Sequence, residues 1–168
     1  MAKKTKVQKT NAIRLLEKNN LSFAVHTFPW SEDHLGAKEA MEKLTVPKEH
    51  IFKTLVTTGD KTGIVIAVIP GEGELDLKAL AKVSGNKHID LLPITELFAA
   101  TGYVRGGCSP IGMKKEYPTY FSNTAEKMDS IIVSAGKRGM QVELSPLDLK
   151  LVTHGEFAEI ESKKKSHG

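Results

Sequence analysis

A chain of 168 residues with 40% apolar and 26% charged side chains is long enough to bury a core unaided, and its composition excludes a disordered or collagen-like polymer. A single cysteine, Cys108, excludes an internal disulfide framework, and the longest apolar run, "IVIAVI" at 64–69, is too short to span a bilayer. The formal charge of +4 is mild, but four lysines fall in the first nine residues and "KKK" occupies 163–165, so the ends either keep the chain soluble or attract a polyanion.

These features, with no apolar stretch of the signal-peptide kind near the start, predict one cytoplasmic domain over 1–168, with basic mobile ends at 1–9 and 161–168 and no membrane partner. Along the chain, "TNAIRLLEKNN" sets Ala12, Ile13, Leu15 and Leu16 on one helical side and stops at Asn19–Asn20. "LSFAVHTF" alternates Leu21, Phe23 and Val25 on one face, the pattern of a strand. Ala37, Ala40, Met41 and Leu44 follow helical spacing until Pro47 ends it. Two β-rich runs flank "GDKTG" at 59–63, a hairpin signature. Asp76 and Gly85 bracket a short helix containing Leu77, Leu80 and Ala81, and Thr95 is expected to cap another that stops at Gly102. "SIIVS" and "MQVEL" are strands joined by "AGKRG"; Ser145 and Pro146 open a last helix, and "EFAEI" is a final strand. Hairpins alternate with single helices instead of strict βαβ units, so the fold class is α+β with a largely antiparallel or mixed sheet.

The six histidines (26, 34, 50, 88, 154 and 167) show no ligand spacing, and no metal site is expected. "GYVRGGCSPIGMKK" at 102–115 is neither a Walker loop nor GxGxxG. Gly106–Gly107 lets the backbone approach a ligand and aim N–H groups at a phosphate or an oxyanion; a tight bend is the other reading. Pro110 stiffens the turn and Ser109 either binds a ligand or caps it. Cys108 is a nucleophile only if a base is brought to it, and a small packing residue otherwise; its sequence neighbours favour packing. Lys53 shares a strand face with Ile51 and Leu55, so it guards an edge or lines a pocket, with Thr54 pointing the other way. "SAGKRG" at 134–139 is a hairpin turn or a pocket rim in which Lys137 or Arg138 holds a phosphate.

"FKTLV" at 52–56, "GYVRGGCSPIGMKK" at 102–115 and "VSAGKRGMQVELSPLDL" at 133–149 together resemble, in order and spacing, the YbaK/EbsC family of aminoacyl-tRNA deacylases. The resemblance extends from the helix near residue 12 to the strand near residue 160. It implies a central mixed, barrel-like β-sheet surrounded by helices, working without metal or cofactor. Its implied catalytic residues are Lys53, Gly106 and Gly107, and its implied substrate-binding residues are Phe28, Thr54, Ser109, Pro110, Ser134, Gly136 and Arg138. The implied activity is trans-editing of Cys-tRNA(Pro), with Cys-tRNA(Cys) as a further substrate, alongside prolyl-tRNA synthetase. The cysteine thiol of the substrate would attack its own ester. Water-dependent editing of another small amino acid and a non-catalytic tRNA-binding accessory are the alternatives. Three positions depart from the family pattern: Phe28 stands where relatives often have tyrosine, Ala135 where a second glycine is common, and Cys108 where an aliphatic residue is expected.

Overall fold

The computed structural model describes residues 9–27 and 48–162. The helix expected over Ala37–Leu44, Phe28 and most of both lysine-rich ends lie outside the described residues. Among the described residues no helix is long and apolar enough to cross a membrane.

Among the described residues, two sheets and four helices carry the fold. The smaller sheet is antiparallel, in the order β1 (Ala24–Thr27), β7 (Met140–Leu144), β6 (Ile131–Lys137). The larger runs β4 (Ile89–Leu91), β2 (Phe52–Gly59), β3 (Gly63–Pro70), β5 (Thr119–Ser122), β8 (Glu156–Ala158). It is mixed: β2 pairs antiparallel with β3 and β4, whereas β3–β5 and β5–β8 are parallel. The sheets meet at one parallel bridge between Ile51 and Ile132. The fold is therefore α+β, as read from the sequence, with the barrel-like surface divided into two sheets that touch at this bridge.

The main core lies between the sheets. Phe52, Val56, Ile66, Val68 and Phe121 face Val133, Ala135, Val142 and Leu144, and α1 (Asn11–Lys18) closes one side with Ala12, Ile13 and Leu16. On the outer face of β3, Val65, Ala67 and Ile69 pack under Leu80 and Ala81 of α2 (Leu77–Ser84). β3 is thus buried on both faces, which is why its sequence is a continuous apolar run and not an alternation. Each fully buried aliphatic side chain contributes about 1.5–3 kcal/mol relative to exposure.

Helix ends follow their capping chemistry. Asp76 Oδ1 accepts from the Ala79 N–H at 3.0 Å, and Gly85 closes α2 at φ 82°, a left-handed conformation that suits glycine. α4 (Pro146–Thr153) starts with Pro146 at its first turn, and Ser145 Oγ accepts from the Leu147 N–H at 3.1 Å. One expectation is corrected. Thr95 caps nothing: it lies inside a 3₁₀ turn, Ile94–Glu96, entered from Pro93, and α3 (Leu97–Thr101) follows directly. Proline's fixed φ starts the turn, and no side chain caps it. The helix does end at Gly102, at φ 86°. The strand pair β6–β7 is also longer than expected, because Ala135 to Lys137 stay in β6 through a bulge between Ser134 and Lys137.

Candidate active site

Lys53 sits at the seam between the two sheets. From Phe52 to Val56, β2 pairs with β3 on one edge; β4 joins its other edge only at Thr57–Gly59, and β6 meets the chain at Ile51. Alternation sends Phe52 and Val56 into the main core and Lys53 to the opposite face, where it is exposed. Leu55, on the lysine's own face, is half-buried against the smaller cluster.

The bridge aligns the neighbouring strand. Two residues beyond Ile51 and Ile132 come Lys53 and Ser134, each on its bridge residue's face by strand alternation. Ser134 is paired with Gln141 across β6–β7, and Gln141 with His26 across β7–β1. Among the described residues, Thr54 Oγ1 and Gln141 Oε1 are buried polar atoms with no hydrogen-bond partner. Buried polar atoms are nearly always satisfied, so both call for a partner beyond the described residues: the rest of the chain, water or a ligand. Gln141 was not singled out by sequence reasoning. In "MQVEL" it alternates with core residues like any solvent-facing polar residue, and only the burial of its Oε1 distinguishes it.

Beside this row, Glu143 accepts from Ser130 Oγ at 2.6 Å and lies 2.9 Å from His26 Nε2. The Ser130 hydroxyl first, and His26 second, hold its carboxyl below the usual carboxylate range. His26, His88 and His154 each meet a carboxylate, His50 meets the Ser130 carbonyl, and the described residues contain no cluster that would hold a metal.

The glycine loop is built against the β6–β7 turn. Gly106 has φ 87°, and a Cβ there would lie 3.4 Å from Arg138 Nε; a Cβ on Gly107 would meet the Arg138 backbone nitrogen at 3.0 Å. Arg138 Nε in turn donates to the Arg105 carbonyl at 2.8 Å, so the turn clamps the loop. Gly136, at φ 100°, lies beneath Tyr103: a Cβ would sit 2.7 Å from its ring. The Tyr103 hydroxyl donates to the Ile111 carbonyl at 2.7 Å, tying the two ends of the loop together.

Several expected ligand groups are used inside the frame. Ser109 is fully buried, and its hydroxyl accepts from the Ile111 N–H at 3.2 Å; Pro110 is buried beside it. Ser134 Oγ accepts from the Gly136 N–H at 3.1 Å, which folds the bulge. The Gly107 N–H donates to the Val104 carbonyl at 2.9 Å. The structure therefore brings Gly106, Gly107 and Arg138 into contact, joins Ser134 to Gly136, and aligns Ser134 with Lys53. It turns Ser109 and Pro110 inward, and Phe28 lies outside the described residues. Cys108 packs on the main core, and burial pushes its thiol up to about 11, partly opposed by a hydrogen bond with Thr101. A nucleophilic thiol needs the opposite shift.

The model of the aminoacyl-tRNA editing domain matches residues 32–151, which take in the lysine, the glycine loop and the β6–β7 turn. The chain belongs to the aminoacyl-tRNA editing domain family. Over 164 residues it is 57% identical to EbsC of Enterococcus faecalis, a protein provisionally named a Cys-tRNA(Pro)/Cys-tRNA(Cys) deacylase, covering 98% of this chain and 100% of that one. Over 78 residues it is 31% identical to a proline–tRNA ligase of Thermosipho africanus, 46% of this chain but 14% of the ligase. Among solved structures, a candidate trans-editing enzyme for prolyl-tRNA synthetase superposes with a TM-score of 0.79 at 23% identity, over 93% of this chain and 99% of that one, a likeness of fold.

Proposed function

We propose that this editing-domain protein is a deacylase that acts in trans on Cys-tRNA(Pro), with Cys-tRNA(Cys) as a second substrate. The observation that carries this reading is the 57% identity to EbsC along essentially the whole of both chains. The partial match to a proline–tRNA ligase supports a role beside prolyl-tRNA synthetase. Cysteine and proline are close in size, and a pocket separates such near-isosteres by only about 1–3 kcal/mol, which leaves errors for a second enzyme to remove.

The reaction we propose uses the substrate's own nucleophile. The cysteine sulfur attacks its ester carbonyl, a C–S bond forms, the ester C–O bond breaks, and the thiol proton ends on the ribose oxygen. The products are a cyclic thiolactone and free tRNA. The state of the protein's own thiol supports this: Cys108 is packed on the core and pushed up to about 11, so it is no rival nucleophile. A free thiol near pKa 8.5 is only a few per cent ionised at pH 7. Lys53, exposed at the seam, would favour the thiolate or hold the terminal ribose and phosphate. Gly106 would offer backbone to the developing oxyanion, with Gly107 framing the loop against Arg138. Gln141, paired with Ser134 on the lysine's face, would complete its orphan atom on the bound aminoacyl end, and Thr54, on the opposite face of β2, would support Lys53 from behind.

Deacylation rates on proline tRNA charged with cysteine, alanine and proline test the reading. Turnover of the cysteine ester alone is expected. Equal turnover of the alanine ester would replace it with water-dependent editing, and salt-sensitive binding without turnover would replace it with an accessory role.

A further inference from the structure

An apolar surface next to the site has no task in the reaction. Between Leu91 and Val104 the chain leaves four large apolar side chains in solvent: Leu91 is 56% exposed, Ile94 58%, Phe98 60% and Val104 43%. Scattered apolar residues need no explanation, but Ile94 and Phe98 are four residues apart on consecutive helical turns and so adjoin. Phe98 also carries a fixed cation. Lys114 Nζ lies 5.9 Å from the ring centroid and donates to the Ala99 carbonyl at 3.0 Å, so the ammonium is tethered to the end of α3. Arg105 and Lys115 are exposed on the same loop. The acidic residues from 94 to 116 are Glu96 and Glu116, and Glu116 Oε2 lies 2.9 Å from His154 Nδ1.

We propose that Phe98, with Lys114 beside it and Arg105 and Lys115 exposed on the loop that follows, is a stacking platform for the single-stranded 3′ end of the RNA substrate. An exposed ring flanked by cations suits nucleobase faces and phosphates together, whatever the base. A protein partner seeking an apolar face would not require the cations. Position supports the same occupant. Lys114 Cγ packs 3.5 Å from where a Cβ of Gly102 would be, and Gly106 touches Arg138 in the candidate site. Four residues of chain span at most about 14 Å, so an aminoacyl nucleotide held at Gly106 leaves its neighbours within reach of Phe98. The choice of RNA rests on the editing function proposed above.

The test measures binding of the full chain to an uncharged acceptor-stem minihelix, with and without its single-stranded 3′ end. Phe98→Ala should weaken binding of the complete minihelix roughly five- to a hundred-fold and leave the trimmed one unchanged. Phe98→Trp should restore binding, while Phe98→Leu should behave like alanine. Lys114→Gln should lower the slope of log affinity against log salt by about 0.7. Because Phe98 is largely exposed, an unchanged melting curve is expected and separates lost stacking from lost fold. Wild-type affinity in Phe98→Ala, or full binding by Phe98→Leu, would overturn the platform. So would a Phe98→Ala variant that loses affinity for prolyl-tRNA synthetase but not for RNA. Since the RNA is uncharged, this result stands or falls independently of whether the wild type deacylates.

Discussion

The glycine loop and the lysine segment of β2 both draw the eye in the sequence, and they are built in opposite ways. Within the loop, polar groups turn inward: Ser109 holds Ile111, Gly107 holds Val104, Tyr103 holds Ile111, and Arg138 holds Arg105. At the β2 seam the groups stay uncommitted: Lys53 is exposed and Thr54 Oγ1 is buried without a partner among the described residues. A dense motif of special residues can spend its polar groups on its own frame, whereas a plain strand can hold polar groups that no described neighbour engages.

Replacing Lys53 by alanine probes the uncommitted side and should have the largest effect. Single-turnover deacylation of Cys-tRNA(Pro) is expected to fall by about a hundred- to a thousandfold, the scale for loss of one preorganised electrostatic partner, with no change in melting temperature. A stability loss with retained activity would reverse the contrast between the two regions.

Gly107→Ala probes the scaffold. Its Cβ would press on the backbone of Lys137 and Arg138, and backbone cannot swing aside. The expected cost is about 1–3 kcal/mol, with reduced activity because the loop is displaced. Gly63→Ala is the control: it also has positive φ, but its Cβ meets nothing within 4 Å. It should lose about 1–2 kcal/mol through backbone strain alone and keep full activity.

Thr54→Val sharpens the comparison because its two readouts should move apart. Removing an unsatisfied buried hydroxyl is expected to stabilise the chain by about 1 kcal/mol or more, visible as a rise of roughly 2–4 °C in melting temperature, while deacylation drops. A joint fall in both would make Thr54 part of the scaffold. Cys108→Val should do least. Similar volume keeps the stability change below about 1.5 kcal/mol, and activity is expected to be retained. At neutral pH the wild-type thiol should resist alkylation, consistent with its raised pKa.

Most of the fold was legible in the sequence because it is written in local patterns. The 59–63 turn, the Asp76–Gly85 helix, and the Ser145–Pro146 helix start all depend on residues close together in the chain. Thr95 misled because a threonine before an apolar helix looks like a cap, whereas Pro93 had already begun the turn. The division into two sheets was not legible, since it depends on which distant strands pair, and the sheets touch at Ile51 and Ile132, far apart in sequence. For the site, alternation put Lys53 on one strand face with Ile51 and Leu55 and left edge guard or pocket lining open; its exposure comes from where the fold places that face. The inward turn of Ser109 depends on a bond to Ile111 that no motif announces. Gln141 was hidden because an alternating polar residue looks solvated until tertiary packing covers its amide oxygen.

In the proposed reaction the substrate supplies the nucleophile and the seam around Lys53 supplies the setting. Rapid-quench mass spectrometry of wild-type reactions with Cys-tRNA(Pro) in isotopically labelled water tests it most directly. The first product should be the thiolactone, one water lighter than cysteine and free of solvent oxygen. Free cysteine carrying the solvent label as the first product formed would contradict it.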